Sequence, residues 1–284
     1  MDKKVCHVTS AHNRYDVRIF MKECVSLAQN GYDVTLIVND DKDDEVVQGV
    51  KIVSTKFKAN NRIDRFINSK NKMYNKAFEI YADIYHLHDP DLLPLGNKLK
   101  KKSKKIIFDS HEDVPQQIKD KQWIPTIFRG LVSKLYEIYE KTSVKKFDAS
   151  ISVTPHVVER LLKVNSNTVM ITNYPIIDAK DDMKREPELA ICFAGGISSQ
   201  WCHDKILMAI EEIDNIKYIL AGNGTQEYMD LLKSLTAWNK VDYKGKIPHS
   251  EVKKIYSKSI AGIALNYSNQ AKEEGTLGNT KLFE

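Results

Sequence analysis

Residues 5–38 read VCHVTSAHNRYDVRIFMKECVSLAQNGYDVTLIV. Two runs rich in β-branched residues, 5–9 and 34–38, bracket a stretch in which Ile19, Phe20, Glu23, Cys24, Leu27 and Ala28 share one largely apolar face at helical spacing. Gly31 stands where that helix should stop, because glycine accepts the left-handed backbone that closes a last turn. Strand, helix and strand in this order make one βαβ unit. Runs of continuous apolar character belong to parallel sheets covered on both faces.

The alternation continues, with strands expected at 50–54, 84–88, 106–109, 149–153 and 169–172. Between Tyr174 and Glu188 it fails: Pro175 and Pro187 flank a charged stretch, which reads as a linker. The chain is therefore expected to comprise an N-terminal domain 1–174, a linker 175–188 and a C-terminal domain 189–284. In the last part, strands are expected at 190–194, 217–221, 241–244 and 260–265, and helices at 204–213, 226–235 and 250–257. The fold class is α/β, doubly wound, with ligands outside the carboxyl ends of the strands. The final NTKLFE reads as the first turns of a helix, so the second domain is expected to be incomplete.

Composition excludes several classes. In 284 residues, 43 Lys and Arg against 38 Asp and Glu leave a net charge of +5, no electrostatic footprint for nucleic acid. An apolar content of 42% with 12 Gly and 8 Pro excludes a disordered or fibrous chain. Cys6, Cys24, Cys192 and Cys202 form no zinc or redox spacing, which suits a reducing cytoplasmic setting. The N-terminal apolar run is too short for a signal peptide, and no stretch approaches the roughly 20 apolar residues of a spanning helix.

Candidate residues gather at the strand ends. The loop TSAHNRYD, residues 9–16, offers small residues, Ser10 and His12 before the N–H groups of a helix start, whereas Asp16 and Arg18 read as helix-start electrostatics. In HLHDPDLLP, His86 and His88 are read as pointing to opposite faces, so that one enters a cleft; Asp89 and Asp91 read as cap and turn rather than metal ligands. FDSHED places His111 at a carboxyl end suited to polar chemistry. The lysine run 98–105 reads as a solvated helix end, with anionic lipid headgroups as a second reading. Trp123, Ile124, Ile127, Phe128, Leu131, Leu135 and Tyr139 read mainly as a core-facing stripe, its start being a lesser candidate for membrane contact. Three Gly-rich loops, CFAGG, LAGNG and YKGKIP, follow successive strands and imply that the backbone makes room for a ligand.

HNRYDVRIFMKECVSLAQNGYDVTLIV, YHLHDPDLLP, IIFDSHED, FAGGIS, YILAGNGT, VDYKGKIP and EGTLGNTKLFE, in this order, together resemble a group 1 glycosyltransferase of the GT-B fold, the retaining family 4. The resemblance implies two facing Rossmann-like domains. A nucleotide diphosphate sugar (a UDP- or GDP-sugar) would be held by the second and a glycan or lipid-linked acceptor by the first, with retention and no essential metal. The expected setting is cytoplasmic, from the cysteine pattern, with the lysine run 98–105 as the candidate for peripheral contact with the inner face of the membrane.

By the same resemblance, His111 lies near the transferred sugar and Glu284 on the ribose. Gly195, Gly196, Gly222, Gly224, Lys246 and Ile247 line the donor loops, and Gly278, Asn279, Thr280 and Lys281 receive the diphosphate. Ser10, His12, His88 and Asp89 fall on the acceptor side. Two positions depart from the pattern. Thr276 replaces a glutamate, and GISSQWC at 196–202 lacks the usual Arg and Lys, leaving Lys205 and Lys281 as the nearest cations. A nucleotide-sugar 2-epimerase of the same fold and a degenerate binding subunit remain alternatives.

Overall fold

The computed structural model describes residues 3–57, 70–121, 123–174 and 187–265. The chain separates into two compact units, Met1–Asn173 and Tyr174–Glu284. Among the described residues of the first, eight strands form one sheet in the order β3-β4-β2-β1-β5-β6-β7-β8. These are β1 (Lys4–Val8), β2 (Asp33–Val38), β3 (Glu45–Val47), β4 (Val50–Ser54), β5 (Ile84–Leu87), β6 (Lys105–Ser110), β7 (Ala149–Ser152) and β8 (Thr168–Met170). All neighbours pair in parallel except β3, which folds back on β4 as an antiparallel edge that sequence periodicity did not indicate.

The order reverses at β1, which lies between β2 and β5. That is the switch point where a doubly wound sheet opens a crevice beyond its strand ends. One sheet face is apolar: Cys6, Val8, Tyr85, Leu87, Ile106 and Phe108 pack in a core with Met73, Leu95 and Val144 from the helices. The buried Tyr85 hydroxyl donates to Ala77 O at 2.6 Å and accepts from Ala82 N at 2.9 Å, so its polar end is satisfied.

The opposite face lies under the first crossover. Over β2 and β4 it is apolar, with Val34, Leu36, Val38, Val50 and Ile52 against Ile19, Phe20 and Cys24. On β1 and β5 the register aligns Leu36, His7 and His86 in one row, so the same face turns polar at the switch point. The crossover is π-helical over Val17–Cys24 and α-helical over Val25–Gln29. Gly31 follows at φ +83°, where the sequence placed the stop.

One expectation is corrected. Along the helix Thr126–Val144 the apolar stripe faces outward: Trp123, Ile127, Leu131 and Leu135 are 67%, 83%, 59% and 58% exposed, Phe128 and Tyr139 are exposed too, and of the seven only Ile124 is buried. The buried side of that helix is instead polar, with the Ser133 hydroxyl donating to Pro115 O at 2.6 Å and Glu140 paired with Arg160. The lysine run is largely solvated as expected, with Lys98, Lys101, Lys102 and Lys105 exposed, and it makes further contacts. Lys98, Lys102 and Lys104 lie over the rings of Tyr74, Phe78 and Tyr81 at 4.7, 5.5 and 3.2 Å, and Lys100 bonds Asp148 at 2.7 Å. Cation–π contact and ion pairing make this run part of the packing of the helix Lys70–Ile80.

The second unit holds a parallel sheet in the order β11-β10-β9-β12 among its described residues. Its strands are β9 (Glu188–Ala194), β10 (Lys217–Ala221), β11 (Val241–Gly245) and β12 (Ser259–Gly262), again reversing at the first strand. Its Gly-rich loops make room for one another. Gly195 N donates to Ala221 O at 2.9 Å, Gly222 N to Gly245 O at 2.7 Å, and Ile197 N to Asn223 O at 2.9 Å. At Gly222, φ is +137° and a Cβ would lie 1.7 Å from Gly195 O. Gly222→Ala should therefore cost at least about 1–3 kcal/mol, read as a lower Tm; at Gly196 a Cβ meets nothing within 4 Å, and Gly196→Ala should leave Tm nearly unchanged.

Candidate active site

The carboxyl ends of β1, β5 and β6 carry the polar cluster. Asp16 caps the crossover helix, accepting from Arg18 N and Ile19 N, both at 2.9 Å. The Arg18 side chain is not confined to helix-start electrostatics as expected; it turns inward and is buried. Its Nη2 donates to Asp109 Oδ2 at 2.8 Å, its Nη1 to Ile171 O at 3.2 Å, and its Nε lies 3.1 Å from Glu23 Oε1. The π turn explains this pairing. In an α-helix, side chains five residues apart diverge by about 140°, whereas i→i+5 bonding returns residue 23 to the face of residue 18.

Asp109 is fully buried, and His111, two residues on, is 16% exposed at the strand edge. Burial pushes the Asp109 carboxyl up, but the hydrogen bond from His111, 3.2 Å away at Nε2, and the charges of His111 and Arg18 outweigh it and hold the group well below the usual carboxylate range. Glu23 moves the other way: burial, then the nearby Asp109 charge, push it up to about 9 despite Arg18.

His86 and His88 share one face, correcting the expectation that they oppose. Side chains two apart in a strand lie on the same side, and their rings stack at 4.4 Å. His7, which sequence reasoning passed over, joins them, its Nδ1 2.8 Å from His88 Nε2. His88 Nδ1 is 3.3 Å from His111 Nε2. Asp89 does not cap its own helix. Its Oδ2 accepts from Thr9 Oγ1, Ser10 N and Ala11 N at 2.7, 2.7 and 3.3 Å, and Oδ1 lies 3.4 Å from His12 Nδ1. The Asp89 hydrogen bond lifts His12 above its usual value against the effect of burial. Ser10, His12, His88, Asp89 and His111, predicted separately, thus meet at one edge.

In the second unit, Gly195, Gly196, Gly222 and Gly224 lie in the loops after β9 and β10, Lys246 and Ile247 after β11. Ile247 packs on the apolar cluster of Cys192 and Ile255, and Lys205 is exposed beside Asp204. Gly278, Asn279, Thr280, Lys281, Glu284 and the departure at Thr276 lie outside the described residues.

Residues 17–174 match the family described as Glycosyltransferase Family 4, more than half of the chain. The chain belongs to glycosyltransferase family 4. Solved structures carry the same likeness over nearly its whole length. Sucrose-phosphate synthase from Thermosynechococcus elongatus is 16% identical with a TM-score of 0.66, over 95% of this chain and 78% of its own. WaaG, a glycosyltransferase involved in lipopolysaccharide biosynthesis, is 10% identical with a TM-score of 0.65, over 90% and 73%. A UDP-N-acetylglucosamine 2-epimerase from Listeria monocytogenes, described as putative, is 10% identical with a TM-score of 0.60, over 91% and 73%. No curated protein matches in sequence. The fold is of the GT-B class, which this family 4 chain shares with these enzymes.

Arg18→Met in this glycosyltransferase-family chain would leave the buried Asp109 without its cation. Breaking a buried pair from one side costs about 3–5 kcal/mol, so chemical denaturation should show a loss of that order.

Proposed function

We propose that this family 4 protein transfers a sugar from a nucleotide diphosphate sugar, with UDP or GDP as the nucleotide, to a hydroxyl of a glycan or lipid-linked acceptor, with retention and with no metal ion on the diphosphate. The observation that carries the reading is His111, the partly exposed imidazole at the switch-point edge, held by a buried, charged Asp109. With Nε2–H donated to Asp109, Nδ1 is the atom left for substrate. As the diphosphate leaves, positive charge develops at the anomeric carbon, and catalysis depends on stabilising the phosphates and placing the acceptor. Asp89 fixes the loop 9–12 that borders the acceptor side. Backbone N–H groups of the Gly-rich loops other than those of Gly195, Ile197 and Gly222, which already bond neighbouring loops, are the donor-side candidates.

His111→Ala should lower turnover by about a hundredfold or more while binding of UDP or GDP stays unchanged and Tm falls modestly, because buried Asp109 loses a hydrogen bond; unaltered turnover would remove His111 from the reaction. Conversion of the donor sugar in the absence of acceptor would replace transfer by epimerisation.

The membrane reading shifts to the helix Thr126–Val144, where Ile127, Leu131, Leu135 and Ile138 form one exposed row with Lys134 beside it. Such a face suits insertion at the headgroup boundary of an anionic membrane. No helix among the described residues is long and apolar enough to cross a bilayer. Sedimentation with anionic liposomes should be lost in the double variant Ile127→Asp, Leu131→Asp and retained when Lys98 and Lys102 are neutralised.

A further inference from the structure

Beneath the acceptor-side loop lies a second arrangement that the transfer reading does not use. β1 and β5 set His7 directly beside His86, and His88 follows on the same face, with ring centroids 4.4 to 5.1 Å apart. Glu23 descends on them from the crossover helix. Arg18 Nε lies 3.1 Å from its Oε1 as an ion pair without hydrogen-bond geometry, and both that Nε and Glu23 Oε2 are buried with no hydrogen-bond partner. That oxygen lies 3.9 Å from His7 Nδ1, 4.0 Å from His86 Nδ1 and 3.8 Å from His88 Nε2. Three imidazole nitrogens thus surround one carboxylate oxygen, too far to bond it. We infer that His7, Glu23, His86 and His88 bind one divalent transition-metal ion of the zinc type.

The distances suit this ion. Bonds of 2.0–2.2 Å in a tetrahedron place ligand atoms about 3.3 Å apart, so each Glu23 contact closes by roughly half an ångström and the 2.8 Å His7–His88 contact opens by as much. The four ligand atoms already lie within 4.8 Å of one another. Asp109 Oδ2 stands 3.8 Å from His86 Nε2 and from His88 Nδ1, and it would have to close by most of an ångström to serve as the outer carboxylate that commonly steadies ligating imidazoles. Three nitrogens and one oxygen select zinc, cobalt or nickel over magnesium and calcium. The neighbouring trio of His88, Asp109 and His111 is the weaker candidate, because Asp109 is already engaged by Arg18 and His111.

The test uses the full chain stripped by chelator, with Zn²⁺ followed by calorimetry and Co²⁺ by visible absorption, so that it is independent of any sugar transfer. One equivalent should bind, raise Tm and give the visible bands of tetrahedral cobalt, while Mg²⁺ fails to compete. Glu23→Gln, nearly isosteric with the protonated carboxyl, and His86→Gln should each weaken binding by about a hundredfold or more, whereas His203→Gln in the second unit should not. A folded, stripped chain that takes up no Zn²⁺ or Co²⁺ overturns the assignment. So does binding that survives Glu23→Gln and is lost with His111→Ala, which would move the ion to the neighbouring trio.

Discussion

Arg18 carries its charge into the covered face of the first sheet, where Asp109 and Glu23 are its carboxylate partners among the described residues. A buried cation is tolerated when it is paired and hydrogen-bonded, and its loss strands its partners. This one guanidinium ties three distant parts of the chain together: the crossover helix that bears it, the end of β6 at Asp109, and the backbone beyond β8 at Ile171. The π-helical turn brings Arg18 and Glu23 down on the same side of the helix.

Much of the site geometry depends on that pair. A charged Asp109 orients the His111 ring, and His111 in turn touches His88. The loop after β1 is held separately: Asp89 gathers Thr9, Ser10, Ala11 and His12, and the Asn39 amide donates to Ser10 O at 3.1 Å. Loop residues that might otherwise wander are thus fixed by groups rooted in strands, as a substrate-positioning edge requires. Arg14 extends the arrangement outward by pairing with Asp40 and Glu45, which couples the same loop to the antiparallel edge strand.

The second unit reaches a comparable edge by different means. Its loops are held by backbone bonds from Gly195 and Gly222, and the space that glycine frees is filled by the next loop. The close approach of those loops gives a structural reason for these glycines whatever they do for a donor.

Strand positions and the βαβ order were legible because period, β-branching and turn chemistry are local properties. His111 could be found the same way, since it follows a strand that any doubly wound sheet must end at its ligand edge. The outward direction of the stripe on the helix Thr126–Val144 was not legible because helical spacing shows that a face exists, not which side the neighbouring helices cover; Ser133, Glu140 and Ser143 take the covered side, against Pro115, Arg160 and Asn97. The ring contacts of the lysines were not legible because Tyr74 and Phe78 come from a different helix and Tyr81 from the residue just after it. Local sequence thus determined the elements and the edge where chemistry belongs. Only tertiary structure brought His7, Arg18, Glu23, His86, His88 and Asp109 together: their contacts span up to 91 residues, and burial of charge depends on the partner folding supplies, which no local pattern encodes.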